Sequence, residues 1–209
     1  MEKGKYHHGD LKNALIQAGS EILAEEGVGS LSLRRVASRA GVSHSAPYAH
    51  FTDKQALIAA ISTEGFLRLY ERLKTVSDAN SSDPPRMLVE VAYAYLTFAL
   101  DSPASFKVMF SGILEQEKAY PDFVANSKKS FELLVLLVEK CQAAGLLKAG
   151  DADQLAVSVW SLVHGFTALL LERQIPGTIR DRSELTVLLC QTLNLITLRD
   201  VPLPGKAGK

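Results

Sequence analysis

Residues 31–54 read LSLRRVASRAGVSHSAPYAHFTDK. Leu33, Val36, Ala37 and Ala40 recur at helical spacing behind Ser32, a residue type that caps helix N-termini, and Gly41 stops the run. Val42 to Phe51 predicts a second short helix, admissible only with Pro47 in its first turn, where the missing N–H does least harm. Thr52-Asp53-Lys54-Gln55 has the T-x-x-Q spacing of a capping box, so a longer helix is predicted to begin there and run to about Val76. Two short helices joined by Gly41-Val42-Ser43 make a helix-turn-helix. In such a unit the second helix enters the major groove of double-stranded DNA and the first crosses the backbone.

Charge supports this locally and not globally. The 209 residues hold 23 Lys+Arg against 23 Asp+Glu, and that balance alone points away from a nucleic-acid partner. Residues 31–54 hold Arg34, Arg35, Arg39 and Lys54 against Asp53, a local charge of +3, with titratable His44 and His50 beside them. Phosphate contact requires local positive charge, whatever the sum over the chain. Arg39 stands late in its helix, where it also complements the helix C-terminus. Phe51 is read as core, anchoring the second short helix.

Working outward, nearly everything reads as helix, and an all-α fold of about nine helices is expected. Leu11, Leu15, Ala18 and Ile22 form one stripe of a helix that ends at Gly27. After the polar loop at 77–85, Asp83-Pro84 opens a helix to about Leu100, and Ser102-Pro103 opens another to about Gly112. Tyr120 to Ala144 is a long helix stopped by Gly145. Asp151-x-x-Gln154 caps one running to about Arg173, Ile175-Pro176-Gly177 breaks the chain, and Asp181-x-x-Glu184 starts the last, to about Leu198. The tail PLPGKAGK is expected to be loose.

A hydrophobic fraction of 47% with 22% charged residues excludes general disorder. Cys141 and Cys190 are too few for a disulfide scaffold and read as buried thiols. The N-terminus has no apolar signal segment, and the uncharged stretch Leu155–Leu171 falls short of the roughly 20 apolar residues of a membrane span. A cytoplasmic protein with no membrane partner is expected. His7 and His8 have no companion ligands at metal spacing and read as an N-terminal arm. No nucleophile elbow or metal motif is present, so no enzymatic activity is expected.

The stretch SLRRVASRAGVSHSAPYAHFTDKQAL, within a match from Leu11 to about Leu69, resembles the reading head of the TetR/AcrR family of bacterial transcription regulators. Trp160-x-x-x-His164-Gly165 resembles the WHG type of C-terminal domain. The resemblance implies a helix-turn-helix DNA-binding domain over 1–54, with its recognition unit at 33–52. It implies a helical regulatory, ligand-binding and dimerisation domain over 55–209. It places Ser43, His44, Ser45 and Ala46 at base edges and Tyr48, His50 and Lys54 at phosphates. Arg34 and Arg35 lie near a helix N-terminus that also favours phosphate. The recognition segment offers no Arg, Asn or Gln for bidentate base pairing, so DNA shape and thymine methyls are expected to contribute to specificity.

The second half must account for the apolar surplus. The 155–171 helix is apolar nearly all round and the last helix carries a similar excess, which suits a homodimer built on Val159, Val163, Leu170, Leu185, Leu188, Leu189 and Leu193. Phe66, Tyr70, Tyr93, Phe98, Phe106, Met109, Phe110, Phe131, Trp160 and His164 are the candidate lining of a pocket for a small apolar or aromatic effector. No cofactor is expected. The function implied is a ligand-responsive regulator, by family default a repressor, that binds a pseudo-palindromic operator on the nucleoid and is released by its effector. The alternative is an architectural DNA-binding protein with a filled core and no effector.

Overall fold

The structure is a computed structural model that describes residues 8–114, 117–180 and 184–205. Among these residues there are nine α-helices and no strand. They are α1 (His8–Glu26), α2 (Leu33–Arg39), α3 (Lys54–Ala79), α4 (Pro84–Asp101), α5 (Pro103–Met109), α6 (Pro121–Ala143), α7 (Ala152–Leu171), α8 (Gly177–Arg180) and α9 (Leu185–Asn194). Short 3-10 turns stand at Val28–Ser30, Ala46–Ala49 and Glu117–Ala119. The chain divides into two compact units, Met1–Leu67 with Ser102–Ser127, and Arg68–Asp101 with Lys128–Lys209. The first half of α3, α5 and the start of α6 belong to the first unit.

In the first unit α1 buries Leu15, Ala18, Ile22 and Leu23, the stripe its period dictates, and packs on α2 and α5. Gly19 lets α3 come close: a Cβ there would stand 2.8 Å from Cδ1 of Ile61. Ser32 caps α2, its hydroxyl accepting from the Arg35 N–H at 3.3 Å. Gly41, at φ 69°, ends it, and the Val42 N–H reaches back to the Ala37 carbonyl at 3.0 Å.

Two expectations here are corrected. The segment 42–51 is not an α-helix; only Ala46–Ala49 is helical, as a 3-10 turn. Pro47 removes one amide, and Ser43, Ser45 and His44 are weak helix formers, so three-residue bonds such as Tyr48 N–H to the Ser45 carbonyl close the turn instead. The cap of α3 is Asp53, whose carboxylate accepts from the Ala56 N–H at 2.8 Å, and not Thr52, whose hydroxyl donates to Asp53.

In the second unit α4 is buried on most of its surface, from Met87 to Ala99, and α7 and α9 pack on it and on each other. The carboxylates of Asp83 and Asp151 accept from the amides three residues on, at 3.1 and 2.9 Å. Helix α7 turns Ala156, Val159, Val163 and Thr167 inward and leaves Val157, Trp160 and Leu169 exposed. The uncharged stretch Leu155–Leu171 was expected to fall short of a membrane span, but the helix starts three residues earlier, and at 20 residues it is long and apolar enough to cross a membrane by length and composition. A short helix, α8, starts at Gly177, the last residue of the segment read as a chain break, and the last helix ends at Asn194. The Asp181 start signal, like His7, lies outside the described residues.

Part of the tail is anchored and not loose. The Val201 N–H donates to the Asn194 side chain at 3.0 Å, Arg86 donates to the Leu203 carbonyl at 3.0 Å, and the Gly205 N–H donates to Glu90 at 2.6 Å.

Candidate functional site

The turn between α2 and α3 presents a nearly continuous exposed surface. Ser43, His44 and Ser45 are exposed, Ala46 is half-buried, and Pro47 turns inward as the turn's anchor. Phe51, 2% exposed, is the second anchor, as its position predicted. Between them Tyr48 stands 61% exposed, an aromatic side chain that the fold does not use for packing. The Ser43 and Ser45 hydroxyls lie 3.1 Å apart, and the His44 ring reaches back to the Ser38 hydroxyl at 3.2 Å.

The basic residues are less available than their count implies. Arg35 grips Glu26 with both carboxylate oxygens, at 2.6 and 2.5 Å. Arg39 pairs with Glu25 at 2.7 Å and lies 3.7 Å from Glu21 and from Glu26. The hydrogen bond and charge of Arg39 hold the Glu25 carboxyl below its usual range. The Lys54 ammonium donates to the Val28 carbonyl at 2.9 Å. Arg34 is exposed and has no carboxylate or carbonyl partner among the described residues. An open groove of about 590 Å³ runs beside it, lined by Ile22, Ser32, Arg34, Arg35, Ser38 and Arg39. His50 is half-buried, and its Nε2 is enclosed with no hydrogen-bond partner.

The ten candidate pocket residues divide between the two units. In the first, Phe66, Phe106 and Phe110 pack edge-on or tilted, with Phe66–Phe110 centroids at 5.2 Å and Phe106–Phe110 at 4.9 Å. Phe123, absent from the candidate lining, joins them 5.6 Å from Phe66, and Met109 is buried against Gly65. In the second unit Phe98 is buried, Tyr70, Tyr93 and Phe131 are half-buried, and Trp160 is 37% exposed.

Tyr95 is the residue that the sequence reading left out of the site. Its hydroxyl accepts from the Trp160 indole N–H at 3.3 Å and lies 2.7 Å from Nδ1 of His164. An indole can only donate, and the tyrosine oxygen keeps a second lone pair and its proton, so the Tyr95–His164 bond runs in the direction the imidazole tautomer sets. Burial holds the His164 pKa below its usual value, which favours the neutral ring. The one-turn spacing of Trp160 and His164 is visible in the sequence, but their partner lies on α4 and has no local signal. Burial pushes the Cys141 thiol up to about 12, which leaves almost no thiolate for nucleophilic chemistry.

Val159, Val163, Leu188, Leu189 and Leu193 are buried in the second unit's own core, and Leu170 and Leu185 are half-buried. An all-round apolar helix offers several stripes, and packing on α4 takes the one these residues occupy. On α7, α8 and the segment after α9 the large apolar side chains left at the surface are Val157, Trp160, Leu169, Ile179, Leu195 and Leu198, while Leu100, Leu136 and Leu203 are exposed elsewhere in the second unit. Leu169, Ile179 and Leu195, with Phe166 and Ile175, line an open groove of about 430 Å³.

An all-helical chain with a capped, glycine-turned helix-turn-helix and an exposed turn surface defines a class, the DNA-binding helix-turn-helix proteins. The family model for bacterial regulatory proteins of the tetR family matches residues 15–61, and the model for the tetracyclin repressor-like C-terminal domain matches residues 88–193. The chain belongs to the TetR family of transcriptional regulators. The second match contains Trp160, His164 and Gly165.

A solved structure from Rhodococcus sp. RHA1, described as a protein with unknown function, is 32% identical, with 93% of this chain and 99% of that chain covered and a TM-score of 0.77. An uncharacterized HTH-type transcriptional regulator of Bacillus subtilis (strain 168), YobS, is 22% identical over 156 residues, covering 75% of this chain and 76% of the relative. The fold is also that of the fatty acid degradation regulator FadR from Bacillus halodurans, 16% identical, with coverage of 93% and 100% and a TM-score of 0.70.

Proposed function

We propose that this regulator is a ligand-responsive repressor that binds a pseudo-palindromic operator as a homodimer in the bacterial cytoplasm. The observation that carries the reading is the exposed recognition turn, with Ser43, His44 and Ser45 presented together and Tyr48 standing 61% exposed beside them. Serine and histidine reach base edges, and a tyrosine hydroxyl is suited to phosphate. Arg34 adds a cation beside them. Lys54, His50 and Arg35 serve phosphate only by exchanging their present surroundings for it, or by lending the backbone N–H groups near them. Two heads are needed because an operator half-site is met once per protomer, and the uncovered apolar residues of α7–α9 support a two-fold contact.

A small, mostly apolar effector fits a regulatory domain whose half-buried aromatic residues include Tyr70, Tyr93, Phe131 and Trp160. It releases DNA by binding the released state more tightly, typically by about 1–3 kcal/mol. The close packing of Phe66, Phe106, Phe110 and Phe123 favours the second reading, a regulator with a filled core and no effector.

The test is a mobility shift with DNA from the gene's own promoter region, run on the wild type and on Tyr48→Ala. Loss of the shift with an unchanged oligomer mass is expected. Normal binding by Tyr48→Ala would remove the turn from the interface. Thermal shifts against a library of apolar compounds separate the two readings, since a filled core responds to none.

A further inference from the structure

Ser38 lies on α2, outside the residues assigned to DNA, and its hydroxyl does two things. It stands 3.1 Å from the Arg34 carbonyl, one helical turn back, and 3.2 Å from Nε2 of His44. A serine hydroxyl has a single proton. In a helix that proton goes to the carbonyl four residues earlier. Only lone pairs then remain for His44, so the imidazole must donate through Nε2–H. In the neutral form of the ring that is the one proton, and the other nitrogen, Nδ1, is left as an acceptor on an exposed residue at the head of the recognition turn.

We propose that Ser38 is a specificity-determining positioning residue: by fixing the tautomer and direction of His44, it makes His44 an acceptor for the exocyclic amine of adenine or cytosine in the major groove. Those amines are the only base-edge hydrogen-bond donors that groove displays. Guanine and thymine offer His44 acceptors in their place and are disfavoured. A recognition segment without Arg, Asn or Gln thereby gains one directional base contact through a residue that need not touch DNA itself. The inference rests on the proposed DNA-binding reading of the turn.

The experiment selects binding duplexes from a randomised pool with the full-length wild type and with the Ser38→Ala, Ser38→Thr and His44→Ala variants. Long-range nitrogen-15 spectra of the free proteins report the His44 tautomer. The wild type is expected to show the Nε2–H form and to select adenine or cytosine at one position per half-site. Ser38→Ala is expected to mix the tautomers, flatten the preference at that position alone and weaken the selected duplex about three- to tenfold, the worth of one hydrogen bond. Binding to an unselected duplex should stay unchanged. Ser38→Thr, which keeps the hydroxyl, is expected to restore the wild-type pattern.

An Nδ1–H tautomer in the wild type overturns the inference. So does an Ser38→Ala or His44→Ala variant that selects the same bases as the wild type. A wild type that enriches no sequence at all sinks the DNA-binding reading instead, and with it the premise.

Discussion

At the scale of single residues, the head depends on positions with one permitted conformation. Gly41 holds φ at 69°, and nothing lies within 4 Å of where a Cβ would stand. Its role is therefore conformational and not steric. Gly41→Ala is expected to lower stability by about 1 kcal/mol, the cost of a left-handed backbone on a residue with a Cβ. For a chain of this length that is roughly 2–4 °C in Tm, measured by calorimetry. This residue was legible in the sequence, as were Ser32, Asp83 and Asp151, because caps and stops are local chemistry. Asp53 was misread in favour of Thr52 because both oxygens stand at plausible spacing and only the backbone geometry selects one. The pairing of Tyr95 with Trp160 and His164 was not legible, since these partners lie 65 and 69 positions away.

At the scale of elements, the question is how α1 modifies α2. The count of +3 over residues 31–54 is correct as a sum. It overstates the available charge, because Glu21, Glu25 and Glu26 come from another helix and face Arg35 and Arg39. Sequence arithmetic over a window has no knowledge of a neighbouring helix. Exposed pairs of this kind contribute little to folding, so their consequence should lie in DNA affinity. The double variant Glu25→Gln, Glu26→Gln is expected to bind promoter DNA more tightly at low salt. Its plot of log affinity against log salt should steepen by about one to two, one for each arginine released to phosphate. Fluorescence anisotropy across a salt series measures this. An unchanged slope would mean that Arg35 and Arg39 stay clear of the phosphates even when unpaired. The same limit explains the recognition segment: its periodicity suggested a helix, while Pro47 and the serines left only a 3-10 turn.

At the scale of the whole molecule, the apolar surplus that composition revealed is divided between a core and an uncovered surface. The sequence shows that α7 and α9 are too apolar for one packed face; it does not show which face the chain keeps for itself. Packing on α4 takes Val159, Val163, Leu189 and Leu193, and Val157, Trp160, Leu169, Ile179 and Leu195 remain at the surface, with Trp160 and Leu169, nine residues apart, on opposite sides of α7. In the proposed homodimer, the groove lined by Leu169, Ile179 and Leu195 is the apolar face for the second copy. Two substitutions of the same chemistry on the same helix separate the faces. Leu169, 51% exposed, should accept glutamate without loss of helical content, and Leu169→Glu is expected to run at monomer mass in light scattering, with the wild type expected at dimer mass. Val159, 2% exposed, cannot shed a charge into water, and Val159→Glu is expected to lose more than about 3 kcal/mol or fail to fold. A dimeric Leu169→Glu would move the interface off this groove and leave another partner to cover it.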